Sequence, residues 1–148
     1  MKKIALNTIA LSIALASFQT QAAQFTVKVQ NLTQGIYFTP LLVAAHDADT
    51  HLFKAGESAS ASLQAMAEGG AIAELEADLD AASGQYAANP AAGLLAPGTS
   101  ATTETLDTHG SSNNYLSVVA MMLPTSGGFI GLDSCPIPTT AGTYAMNN

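Results

Sequence analysis

The run Tyr115–Leu123 (Tyr-Leu-Ser-Val-Val-Ala-Met-Met-Leu) is the most apolar stretch outside the N-terminus, and Pro124 closes it. A short apolar run ended by a residue that cannot continue a ladder reads as a strand. Other segments repeat the signal. Phe25, Val27 and Val29 alternate with Thr26, Lys28 and Gln30 across Gln24–Asn31, the period of a strand with one buried face. Leu41–Ala45 is short and wholly apolar, as in a strand covered on both faces. Ser100–Thr108 alternates with little apolar content and reads as an exposed strand, while Phe129–Leu132 and Gly142–Met146 begin two more. Ser83–Pro97, rich in Ala, Gly, Pro and Asn, reads as a loop.

Only the middle of the chain carries helical spacing. Leu63, Met66 and Ala67 fit one turn-by-turn face, which Gly69-Gly70 ends. Ile72, Leu75 and Leu79 form a second, with Glu74, Glu76, Asp78 and Asp80 between them. Glu74 and Asp78 lie on one flank and Glu76 and Asp80 on the other, so the four do not converge, and their like charges predict a short or mobile helix. Several short strands with two helices inserted early predict a mainly β protein, an antiparallel β-sandwich with a short helical insertion.

Charge narrows the function classes. Four cations face eleven acids, giving a net charge of −7, and charged residues make up only 10% of the chain. A protein of this balance has no basic patch to neutralise phosphates or to dock on anionic lipid. Lys2 and Lys3 precede the apolar segment Ile4–Phe18, and Thr20-Gln21-Ala22 supplies small residues for cleavage. This is the layout of a secretory signal peptide over residues 1–22. The run falls short of the roughly 20 apolar residues of a membrane span. The expectation is an exported domain, residues 23–148, in the periplasm or outside the cell. Loss of Lys2 and Lys3 leaves two cations, Lys28 and Lys54, against eleven acids, a net charge of −9. Cys135 is the only cysteine, so no intramolecular disulfide forms, and a buried, inert thiol is the expectation.

His46-Asp47-Ala48-Asp49-Thr50-His51 is the densest set of metal-capable side chains. Read as a calcium loop opening at Asp47, it has Leu52 where the turn glycine belongs and Ser58 where the closing glutamate belongs, so it is not an EF-hand. No second His/Cys cluster completes a zinc site, and a polar surface loop is the favoured reading. His109 follows Asp107-Thr108, but no serine stands in a nucleophile-elbow motif, and no glycine-rich phosphate-binding motif occurs.

Three stretches in order resemble the spondin domain family: Asn31-Leu32-Thr33 through Phe38-Thr39-Pro40 and Leu41–His46; Leu52–Gly56 with Leu63 and Ala67–Gly70; and Tyr115-Leu116-Ser117 through Met121–Thr125 with Gly128–Ser134. The resemblance spans about residues 25 to 146. It implies a C2-like antiparallel β-sandwich and a calcium ion at one end, with Asp133 as the ligand that carries over. It also implies a later acidic Asp-Ala-Gly-Thr-Glu segment. In one alignment Ala141–Tyr144 only leads into it; in another Thr140 and Tyr144 replace its acids. The resemblance therefore implies a chain truncated at its C-terminus.

Three functions follow as expectations. The first is a non-enzymatic extracytoplasmic binding or adhesion module whose partner is an extracellular protein or glycan, with calcium structural where present. The second is a subunit of a surface assembly formed by strand addition at an exposed edge. The third is a hydrolase or metalloenzyme using His46, Asp47, Asp49, His51 or His109.

Overall fold

A computed structural model describes residues 24–146. The expected signal peptide lies outside these residues. In chain order the elements are β1 (Gln24–Phe25), β2 (Lys28–Gln30), β3 (Tyr37–Phe38), β4 (Leu42–His46), α1 (Ala61–Gly69), α2 (Ala73–Ala81), β5 (Gln85–Ala88), β6 (Ser100–Thr102), β7 (Leu106–Asp107), β8 (Tyr115–Leu123) and β9 (Phe129–Pro136). Every strand pairing is antiparallel. Among the described residues, no helix is long and apolar enough to cross a membrane.

β8 organises the main sheet. β3 and β4 lie end to end along one edge of it, with Phe38 opposite Met122 and Leu42 opposite Val119, and β9 lies along the other. β5 extends the sheet beyond β4. The Thr39-Pro40 step explains the joint between β3 and β4. Proline offers no N–H to the ladder, and Thr39 serves the neighbouring strand instead. Its N–H donates to the Met121 carbonyl (3.0 Å), and its Oγ1 accepts from the Met121 N–H (3.1 Å). The N-terminal segment forms a separate ribbon, β1 with β7 and β2 with β6.

Alternation along β4 and β8 divides the core in two. Leu42, Ala44, Val119 and Met121 face the helices and pack with Leu52, Leu63, Met66, Leu75 and Leu79. Leu41, Val43, Leu116, Val118 and Ala120 face the ribbon and pack with Phe38, Leu95, Ala101 and Leu106, closed over by Phe25, Val27 and Val29. The sheet is thus covered by helices on one face and by a two-stranded ribbon on the other, a mainly β, antiparallel sandwich with a helical insertion.

α1 begins at Ser60, whose Oγ accepts from the Leu63 N–H (3.1 Å), and ends at Gly70 in the left-handed region (φ +69°). A Cβ on Gly70 would stand 3.0 Å from Thr39 Cβ and Cγ2. Gly70→Ala is therefore expected to cost about 1–2 kcal/mol, from the left-handed backbone and the contact together. Urea unfolding midpoints read this directly. An unchanged midpoint would show that this cap is not rigid.

Four local expectations need correction. Gln85–Ala88 is a strand, not loop, because it completes the hydrogen bonds of β4's outer edge and lays Tyr86 against the helix-side core. Ser100–Thr108 is half-buried and not one exposed strand. Its inward positions shift from Ala101 and Thr103 to Leu106 and Thr108, where the pairing slips between Lys28↔Thr102 and Gln24↔Asp107. β9 runs on past Leu132 to Pro136. Gly142–Met146 forms no strand; it is exposed, with the Tyr144 hydroxyl donating back to the Thr140 carbonyl (3.0 Å).

Candidate functional site

The polar residues gather where β4 ends, β8 begins and β9 bulges. His46 shares its parity with Leu42 and Ala44, and Ser117 with Val119 and Met121, so both project to the helix side of the sheet. Both are fully buried. His46 Nδ1 lies 2.8 Å from the Asp47 carbonyl and Nε2 lies 2.7 Å from Ser117 Oγ. A carbonyl only accepts, so Nδ1 carries the proton and Nε2 accepts from the Ser117 hydroxyl. Ser117 Oγ in turn accepts from the Ser134 N–H (2.9 Å).

That last bond exists because β9 is bulged. Leu116 pairs with Cys135 and Val118 with Leu132, so Asp133 and Ser134 together oppose Ser117. Ser134 sits in the left-handed region, φ +48°, a strain of order 1–2 kcal/mol for a residue with a Cβ. The bulge turns both side chains toward His51. Ser134 Oγ donates to Asp133 Oδ1 (2.8 Å), and the His51 Nδ1–H is shared between Asp133 Oδ1 (3.2 Å) and Ser134 Oγ (3.0 Å). The His51 and Asp133 side chains are 23% and 27% exposed, so this outer layer meets solvent while His46 and Ser117 behind it do not. The His46 and His51 rings stand 6.5 Å apart.

The connecting loop is self-organised. Asp47 Oδ1 accepts from the N–H groups of Asp49 (3.1 Å) and Thr50 (2.9 Å), an Asx turn. The Thr50 side chain first, and then these backbone bonds, hold the Asp47 carboxyl below the ordinary aspartate value. Just beyond it, Phe53 lies edge-on to Phe129 at 5.4 Å and its ring occupies the space above Gly131.

Of the residues the sequence singles out, the fold brings His46, Asp47, His51 and Asp133 to one end of the sandwich. Asp49 is exposed and contributes its backbone N–H. His109 belongs to a different corner, where its N–H donates to Asp107 Oδ1 (2.9 Å). The Asp107 carboxyl is held low first by the Gln24 side chain, then by His109. Ser117 and Ser134 are functional neighbours that motif reading passes over. Cys135 is half-buried and free, not the fully buried thiol expected.

The chemistry open to this arrangement is limited. A hydroxyl hydrogen-bonded to an imidazole is the start of a nucleophile–base pair, but Ser117 and His46 are sealed from any substrate. At the surface, Ser134 and Asp133 both engage the same nitrogen of His51, so the carboxylate does not orient the ring from behind as a triad requires. Among the described residues, no three His, Cys, Asp or Glu side chains gather as metal ligands. Asp133 brings one carboxylate whose Oδ1 already has two partners, whereas calcium takes about six to eight oxygens. These residues do not fit a calcium ion.

No curated protein matches the chain. The Spondin_N family model matches residues 17–147, a span that takes in both layers of the sandwich and the bulged end of β9, and the chain belongs to the spondin domain family.

Proposed function

We propose that this protein is an exported, non-enzymatic spondin domain that serves as an extracytoplasmic binding or adhesion module for a protein or glycan. The observation that carries the reading is the family match over nearly the whole chain, joined to the leader pattern in residues 1–22. The candidate site supports it from the negative side. Its most reactive-looking pair, His46 and Ser117, is spent inside the core holding strands together.

Expression with the native N-terminus, followed by cell fractionation and N-terminal sequencing, tests the export step. The expected product starts at Ala23 and leaves the cytoplasm. A full-length product retained in the cytoplasm overturns it. Calcium enters separately. With one carboxylate available at Asp133, a few millimolar calcium is expected to leave the melting temperature unchanged, and titration calorimetry to show no saturable heat. A saturable signal lost in Asp133→Asn would establish the ion despite the poor donor set.

A further inference from the structure

We draw no further inference here: the strongest candidate, the open apolar depression lined by Gly35, Tyr37, Leu94, Leu123 and Pro124 at the end of the sandwich away from His46, carries nothing, because nothing in the structure shows what covers it.

Discussion

His46→Ala is expected to lower the free energy of unfolding by about 3–4 kcal/mol, one of the two largest effects of any polar substitution considered. The imidazole is fully buried, so its removal leaves a cavity on the helix side of the sheet. It also strands the Asp47 carbonyl and leaves the Ser117 hydroxyl proton without its acceptor. Ser117→Ala should cost less, about 1–2 kcal/mol, because it removes a smaller group but deprives both His46 Nε2 and the Ser134 N–H of their partner. The two changes should not add. A double-mutant cycle by urea unfolding is expected to give a coupling of about 1–2 kcal/mol. Additive losses would mean that the pair packs side by side without exchanging a hydrogen bond. Nitrogen-15 spectra offer a second reading, with the His46 ring expected as the Nδ1–H tautomer.

The same pair shows what the sequence could and could not reveal. β8 was legible because nine apolar or small residues end at a proline, a signal that needs no knowledge of neighbours. α1 was legible because Gly70 marks its end by backbone conformation alone. β5 was not, because Gln-Tyr-Ala-Ala has little strand character of its own and forms a strand only because β4 offers an open edge. Ser100–Thr108 misleads for the opposite reason. Its alternation is real, but a slip in the pairing with the first ribbon strand changes which parity faces the core. Within the site, His46, His51 and Asp133 were visible as chemistry-bearing residues, but the serines that bond to them, Ser117 and Ser134, were not. Ser117 is 71 positions from His46, and Ser134 reaches it only through a bulge. One local signal did exist. Both His46 and Ser117 are polar residues at core-facing parity inside otherwise apolar strands, and a buried polar side chain must find a partner.

Asn31→Asp should be the other large effect, a loss of about 3 kcal/mol or more, although it changes one group of nearly equal size. The native amide uses every face it has. Oδ1 accepts from Thr33, and Nδ2 donates to the carbonyls of Ile36 and Leu95. A carboxylate keeps the first role and fails the second, setting a buried negative charge against two carbonyl oxygens with no cation within the loop to offset it. Asn31→Ala removes the amide's hydrogen bonds but introduces no charge, and the carbonyls keep donors in the Phe38 N–H (3.1 Å to Leu95) and the Thr33 hydroxyl (2.9 Å to Ile36), so it should cost less than Asp. This ordering, aspartate worse than alanine, is the diagnostic result in urea unfolding. The reverse order would show that water reaches the two carbonyls. Because Asn31 holds the 31–36 loop from within, Asn31→Ala is also expected to speed hydrogen exchange at the Thr33 and Ile36 amides in a variant that still folds.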